Sequence, residues 1–177
     1  MIAYKRASQK EELEQILELQ HDNLPSSVSE AIQKNEGFVT VHHDFAILHK
    51  MNEVCPHVLA TVGQKVVGYA LCMHPKFGDT IDILKPMFGE IKRVLAPSEP
   101  FIVMGQICIH KDFRRQGIFR GLYDFMLKEL ETEFRSIITE VDAKNTRSLE
   151  AHLAIGFQSL AQYQSHQREW VLIQLKS

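Results

Sequence analysis

The stretch from Phe101 to Leu130 constrains the fold of this chain more than any other. Its first part, Phe101–Ile109, is apolar apart from Gly105 and Gln106. A nearly continuous run of β-branched and aromatic residues predicts a central strand that is covered on both faces. Further along, apolar residues recur with the spacing of one helical face, at Ile118, Leu122, Met126 and Leu130. The stretch therefore predicts a strand, a tight turn and a helix.

The predicted turn is basic. It consists of Arg114, Arg115, Gln116 and Gly117, and Arg120 follows within the first turn of the helix. The first amides of a helix lack intrahelical partners and carry the positive end of the helix dipole, so they can bind an anion. A glycine lets a phosphate approach the backbone, and arginines suit phosphate oxygens. The alternative is that the glycine only shapes the turn and the arginines are solvated, since short glycine motifs recur by chance.

The turn and its flanks, IHKDFRRQGIFRGLY, resemble the acyl-CoA-binding signature of the GCN5-related N-acetyltransferases, the GNAT family. In that family the turn has Arg or Gln, two free positions, Gly, one free position, then Gly or Ala. Arg114 and Gly117 match, whereas Phe119 departs from the pattern at the second small residue. The resemblance implies that this turn anchors the pyrophosphate of acyl-CoA, with the Phe119 side chain pointing away. The implied contacts are Arg114, Arg115, Gln116, Gly117, Ile118, Phe119 and Arg120.

A second stretch, NTRSLEAHLAIGF, resembles a later motif of the same family, in which Asn opens a helix that ends in Gly-Phe. Asn145 is a good N-cap, and Gly156 suits the position after the helix. Asn145 and Ser148 share a helix face with His152 and are expected to contact the cofactor. The family usually has a tyrosine at the position of His152, where it can protonate the departing thiolate. Histidine also donates protons near neutral pH, so His152 is the candidate general acid; the alternative is a histidine that only packs or faces solvent.

The resemblance implies transfer of an acetyl group from acetyl-CoA to an amine, by direct attack in a ternary complex. In the family the pantetheine arm pairs with a strand edge where two parallel strands part, and Ile107, Cys108 and Ile109 would supply that edge. A backbone N–H there would also stabilise the oxyanion of the tetrahedral intermediate. A covalent acyl-enzyme on Cys108 is the less favoured alternative, because the family uses direct attack and the residue sits in an apolar strand.

A base is needed as well, because an amine acceptor is mostly protonated at neutral pH; an unperturbed lysine has a pKa of about 10.4. A second buried strand, Arg135–Val141, follows the helix and completes a right-handed βαβ unit, whose ligand is expected at the carboxyl ends of the strands. Four titratable residues lie near that predicted opening, although each could equally be a solvated charge at a strand end. They are Glu140, Asp142, His74 and His110, and Glu140 is the candidate base.

Shorter patterns predict the remaining elements: a strand at Ile2–Arg6, a helix capped by Ser8 and Glu11, a weaker helix at Ser26–Asn35, an extended piece at Gly37–Val41, a helix capped by Asp44, a hairpin at Gly63-Gln64, short helical pieces at Ile81–Phe88 and Gly89–Val94, and closing strands at Phe157–Gln164 and Glu169–Leu175. Together with the resemblance, these patterns predict an α/β (α+β) fold. We expect a single domain over residues 1–177, with a mixed, mostly antiparallel sheet and a central parallel βαβ unit flanked by helices.

Composition excludes several classes of protein. A net charge of −2 gives no general attraction to nucleic acid or acidic membranes. No apolar run approaches the ~18 residues of a membrane span, and the N-terminal residues do not resemble a signal peptide. Cys55, Cys72 and Cys108 are expected to be buried free thiols, and the absence of CxxC and HExxH argues against a structural zinc site. We therefore expect a cytoplasmic protein that uses acetyl-CoA and no metal, and exposed sheet edges near the C-terminus could pair in a homodimer.

Of two other functions considered, one stays open and one is disfavoured. An acyl-CoA-binding sensor or regulatory module would keep the cofactor turn without turnover, as the replacement of the usual tyrosine by His152 allows. A nucleotide-binding module would need a motif such as GxxxxGK[ST], which the sequence lacks. The acceptor, small molecule or protein, cannot be identified from the sequence; its specificity would lie in residues 22–44 and 76–100.

Overall fold

A computed structural model describes residues 1–24 and 43–177. In these ranges seven strands form one mixed sheet, in the order β1-β2-β3-β4-β5-β7-β6. The strands are β1 Ala3–Arg6, β2 Val58–Val62, β3 Lys65–Met73, β4 Phe101–Ile109, β5 Ser136–Asp142, β6 Gln158–Ser165 and β7 Arg168–Lys176. Among these seven described strands only β4 and β5 are parallel neighbours, and the other pairs are antiparallel. The predicted mixed sheet with a central parallel unit is confirmed.

Five α-helices of the described residues cover the two faces of this sheet. They are α1 Lys10–His21, α2 Phe45–Val54, α3 Lys85–Val94, α4 Ile118–Leu130 and α5 Thr146–Ala154. The first three helices bury Leu13, Leu48 and Ile91 against one face, whereas α4 buries Leu122 and Met126 against the other. The central strands are therefore covered on both sides, as their continuous apolar sequence predicts. No described helix has the length and apolar character that crossing a membrane requires.

Helix α4 follows the predicted apolar stripe. All four stripe residues are buried; they are Ile118, Leu122, Met126 and Leu130. Burying one such side chain contributes about 1.5–3 kcal/mol relative to leaving it exposed, so the stripe fixes the helix firmly on the sheet. Because the helix begins directly at Ile118, the stripe also fixes the position of the turn that precedes it.

The strands β4 and β5 pair over only three residues each. The parallel ladder joins Phe101, Ile102 and Val103 to Ser136, Ile137 and Ile138. Beyond it, β4 continues along β3 and β5 continues along β7. The register of β3 and β4 also shifts, so that Leu71 faces both Gly105 and Gln106. A bulge of this kind bends its strand. The two strands part here, and we call the space between β4 beyond Val103 and β5 beyond Ile138 the opening.

The observed element boundaries confirm some predictions and correct others. Asp44 caps α2, and Gly63 makes the β2–β3 turn with a φ of +59°. The Ser8–Glu11 capping box is wrong by one residue, because Gln9 is the N-cap and Glu12 closes the box. Residues 85–94 form one helix through Gly89 rather than two pieces, since a glycine inside a helix costs only about 1 kcal/mol. The elements predicted at 26–35 and 37–41 lie outside the described residues.

Candidate active site

The turn before α4 has the backbone geometry of an anion site. Gly117 is the N-cap of α4 and adopts a left-handed conformation with φ +78°. This conformation favours glycine. A Cβ at this position would meet nothing within 4 Å, so the space in front of the first helical turn is open. With no capping side chain, the first amides of α4 can bind a ligand oxygen.

The arginines of the turn differ in their contacts. Arg115 is exposed. Arg120 donates from Nη2 to the carbonyl of Ala154 over 3.3 Å, at the end of α5. Arg114 is half-buried and ties the end of β4 to the end of α1: its Nε donates to the Ile109 carbonyl (3.1 Å) and its Nη2 to Asn23 Oδ1 (2.5 Å). Arg115 and Arg120 therefore provide exposed positive charge, whereas Arg114 also organises the turn.

Phe119, which departs from the family pattern, packs between the two helices. Its ring lies edge-on to Tyr123, with 5.3 Å between centroids, and to His152, with 4.9 Å. Neighbouring Ile118 is buried in the core between α4 and the sheet. Gln116 donates to the Asp112 carbonyl. The side chain of Phe119 is thus used for packing, and its backbone amide belongs to the first turn of α4.

His152 is enclosed rather than presented to solvent. Its exposed fraction is 1 %, and the rings of Phe119, Tyr123 and Phe157 surround it at 4.9–5.5 Å between centroids. Nδ1 lies 2.7 Å from the Ser148 carbonyl, which only accepts, so Nδ1 carries the proton. Nε2 then accepts from the Tyr123 hydroxyl over 2.7 Å. Burial lowers the pKa of the ring to about 4, so it is neutral at pH 7.

These contacts favour a structural role for His152, and its assignment as general acid stays a prediction. We expect His152→Phe to reduce the free energy of unfolding by about 1–3 kcal/mol, because the buried Tyr123 hydroxyl loses its partner. Chemical denaturation measures this change. In the His152→Phe/Tyr123→Phe double variant, where both polar groups are gone, we expect most of the lost stability to return. A single variant that keeps wild-type stability but loses turnover would instead support the acid role.

The opening exposes one edge of β4. On its other edge, β4 is paired with β3 at Ile107, Cys108 and Ile109, the residues predicted to receive the pantetheine arm. The Cys108 thiol is buried, and burial raises its pKa to about 12. A thiol that stays protonated is a poor nucleophile, which argues against the covalent alternative. Cys55, Cys72 and Cys108 are all buried and free, as predicted.

A carboxyl group with an unusual environment lies on β5 beyond the end of the parallel ladder. Glu140 is partly buried, and burial raises its pKa from 4.5 to about 7. The hydroxyl of Tyr163, on β6, donates a short hydrogen bond to Glu140 Oε2. Tyr163 packs with the residues that α1, α2 and α3 cover, so the pair lies on that face of the sheet. Burial raises the pKa of Tyr163 in turn, and proximity to Glu140 and then to Glu90 adds to this effect.

The other predicted bases have structural partners. Asp142 is buried and pairs with Arg168 at 3.1 Å. His110 caps the turn after β4 by accepting from the amide of Asp112. His74 was expected near the opening, and this is wrong: it follows Met73, which pairs with Val103, so it lies towards the other end of β4. Antiparallel pairing of β3 with β4 accounts for this position. Glu140 stays the candidate base.

Sequence reasoning missed a buried polar network beside the bulge. The carboxamide oxygen of Gln106 accepts from the Tyr69 hydroxyl and from Gln20 Nε2, each over 2.7 Å. The network joins α1, β3 and β4 at the point where β4 bends. The signal was present in the sequence, because Gly105 and Gln106 are the two residues that interrupt the apolar run of β4.

The second motif forms helix α5, and its polar residues make contacts within that helix. Asn145 caps the helix by accepting from the Ser148 amide over 3.3 Å, and Gly156 follows the helix with φ +111°. Ser148 is half-buried next to His152. Within residues 1–24 and 43–177, no group of His, Cys, Asp or Glu side chains is arranged to hold a metal ion.

Residues 13–157 match the family model described as the acetyltransferase (GNAT) family. The chain belongs to the GNAT acetyltransferase family. It is therefore an acetyltransferase, and the predicted family and type of enzyme are confirmed. Acetyl-CoA is the acyl donor of the GNAT family. No curated protein sequence matches the chain significantly.

Solved structures share the fold of this GNAT acetyltransferase at low sequence identity. Ard1 from Thermoplasma volcanium superposes with a TM-score of 0.68 at 16% identity, covering 99% of this chain and 97% of that one. The ribosomal-protein-S18-alanine N-acetyltransferase of Escherichia coli gives 0.59 at 14% identity, covering 99% and 94%. YncA from Salmonella typhimurium, whose structure contains acetyl-CoA, gives 0.65 at 16%, again covering 99% and 94%. These likenesses extend the GNAT fold over nearly the whole chain.

Proposed function

We propose that this GNAT acetyltransferase transfers the acetyl group of acetyl-CoA to an amine acceptor by direct attack in a ternary complex. One observation carries the proposal: a partly buried carboxyl, Glu140, lies on β5 just beyond the ladder that joins it to β4, on a strand that borders the opening, and the helix that follows β4 begins at a left-handed glycine. The start of α4 would bind the phosphates of acetyl-CoA, and the opening would receive its pantetheine arm. The carboxyl would take a proton from the acceptor amine.

The residues that would hold acetyl-CoA lie along one path. The amides of Ile118 and Phe119, with the charges of Arg115 and Arg120, would bind the pyrophosphate at the start of α4. Arg114, Gln116 and Gly117 would shape this site. The free edge of β4 would then pair with the pantetheine arm, at Ile107, Cys108 and Ile109. Asn145 and Ser148 would approach the arm from the start of α5.

Glu140 would act as the general base. A base with a pKa near the working pH is the most effective one, and burial gives Glu140 a pKa of about 7. The acceptor first loses one proton to solvent, and the neutral nitrogen attacks the acetyl carbonyl. Glu140 takes the second proton from that nitrogen as the C–N bond forms. Because an unperturbed thiol has a pKa of about 8.5, the protonated Glu140 could return this proton to the departing sulfur.

Tyr163 is poorly suited to protonate the sulfur itself. Its pKa is raised by burial and by Glu140, so it holds its proton more tightly than a free tyrosine. We propose instead that Tyr163 positions the Glu140 carboxylate by donating to it. His152 stays the alternative acid, although its described contacts leave neither ring nitrogen directed at solvent.

The acceptor is proposed to be an amine on a small molecule or a protein. The E. coli relative acts on an alanine of ribosomal protein S18, which shows that the fold supports amine chemistry. A sensor or regulatory module that only binds acyl-CoA would not need a titratable carboxyl on a strand that borders the opening, so Glu140 favours turnover. Three expectations stay predictions: that the acyltransferase domain extends over residues 1–177, that the protein forms a homodimer, and that it is cytoplasmic.

Thermal unfolding with and without acetyl-CoA tests the proposal first. A ligand at 100 times its Kd stabilises the folded state by about 2.7 kcal/mol, so we expect a clear increase in Tm. A panel of primary amines, assayed by release of the free thiol, then tests transfer. The absence of any shift at millimolar acetyl-CoA, with a cooperatively unfolding protein, would contradict both the enzyme and the sensor.

A further inference from the structure

Gly105 is an exposed backbone position in the middle of the sheet. The residues on either side of it are buried, with exposed fractions of 3 % for Met104 and 7 % for Gln106, whereas Gly105 itself is exposed. A residue of a central strand normally carries a side chain that packs on the sheet. The structure therefore leaves a space above this glycine.

The fold does not need a glycine at this position. Gly105 lies outside the left-handed region, and a Cβ built on it would meet its nearest atoms, the Cβ atoms of Leu71 and Met73, at 3.9 Å. Those distances are ordinary van der Waals contacts. A side chain at residue 105 could thus be accommodated, and its absence leaves room for something else.

The space lies where the proposed reaction would take place. Gly105 is two residues beyond Val103, the last residue of β4 that pairs with β5. The edge Ile107–Ile109, proposed to pair with the pantetheine arm, leads directly to it along β4. The reactive end of the arm would therefore arrive next to Gly105. The nearest walls are the apolar residues Leu71 and Met73, both buried.

We propose that Gly105 determines the length of the acyl group, and that its missing side chain admits acyl chains longer than acetyl, such as butyryl. The inference rests on the proposed function, because it places the thioester in the opening. Each methylene buried against an apolar wall contributes about 0.8 kcal/mol, which corresponds to about fourfold in affinity. A side chain at residue 105 would fill this space before it affected the rest of the cofactor.

Titration calorimetry with CoA, acetyl-CoA and butyryl-CoA tests this directly and needs no knowledge of the acceptor. We expect the wild type to bind butyryl-CoA at least as tightly as acetyl-CoA. Gly105→Val should bind CoA with wild-type affinity but lose about tenfold or more for butyryl-CoA, since one excess methylene in an apolar pocket is worth about 10–200-fold. Gly105→Ala should show a smaller loss in the same order.

Gly89→Ala provides the matched control. Gly89 is also exposed with open space around its Cβ position, but it lies on helix α3 and not on a strand that borders the opening, so this variant should keep the wild-type affinities. The inference is overturned if Gly105→Val and Gly105→Ala keep the wild-type ratio of butyryl-CoA to CoA affinity, or if the wild type itself rejects butyryl-CoA. If Gly105→Val does not fold, Gly105→Ala decides. A wild type that fails to bind even CoA would contradict the proposed function instead.

Discussion

Replacing Gly117 with glutamate is expected to abolish acetyl-CoA binding in a protein that still folds. The new carboxylate would occupy the open space before the first turn of α4 and repel the pyrophosphate; like charges about 4 Å apart cost roughly 4 kcal/mol near a protein surface. We therefore expect the Kd to rise by about a hundredfold or more. Titration calorimetry measures the affinity, and the loss of the ligand-induced increase in Tm gives an independent readout.

The folded state of this variant should be only modestly weakened. A non-glycine residue at φ +78° costs about 1–2 kcal/mol, but the site is open and the core stripe of α4 is unchanged. Gly89→Glu is the matched control, because it introduces the same charge at an exposed glycine on the opposite face of the sheet. Acetyl-CoA binding by Gly117→Glu equal to that of Gly89→Glu would place the pyrophosphate elsewhere.

Local patterns predicted the parts of the site that are formed by contiguous residues. The apolar run of β4 and the stripe of α4 determine their own burial, and the turn between them needs a glycine at a positive φ. Asn145 and Gly156 likewise mark the two ends of α5 through capping preferences that act within a few residues. In these segments the local preference and the tertiary packing agree.

The opening itself could not be predicted from local patterns. It depends on the register of β4 against β3 and on the short ladder with β5, and both are long-range pairings. Tyr163 and Glu140 are 23 positions apart in the sequence. They meet because β5 and β6 both pair with β7, which brings the two strands into one sheet. The enclosure of His152 similarly requires Phe119 and Tyr123 on another helix. A residue's position in a motif therefore did not determine its chemical environment.

Replacing Glu140 with glutamine is expected to reduce kcat/KM by about 10²–10⁴-fold, the usual contribution of a positioned general base. Glutamine keeps the size of the side chain and can still accept from Tyr163, so acetyl-CoA affinity should be unchanged. Steady-state thiol release with an amine found in the screen, together with calorimetric titration, separates the two effects. A variant that retains more than half of the wild-type kcat/KM would exclude Glu140 as the base.

The pH dependence of activity should also differ between the wild type and Glu140→Gln. Wild-type activity should fall as the pH drops through about 7, because the carboxylate takes up its proton there. The ratio of wild-type to variant kcat/KM cancels the effect of the acceptor's own protonation, which is the same for both proteins.

Tyr163→Phe removes a donor that lowers the pKa of Glu140, so the pH profile of its activity should move to higher pH. An unmoved profile would leave Tyr163 with a packing role alone.

As the pH rises, the stability of the wild type should fall over the range in which its activity increases. The pKa of Glu140 is about 7 in the folded protein and 4.5 without the fold, so between these values only the folded state holds the proton. The wild type therefore loses stability as the pH rises through this window, by about 3 kcal/mol at most. Glutamine cannot ionise and avoids this loss. Urea unfolding should show Glu140→Gln to be more stable than the wild type at pH 8, with a smaller difference at pH 4.5. An equal difference at both pH values would mean that the fold does not raise the pKa of Glu140, and the assignment of this residue as a base tuned to the working pH would then lose its support.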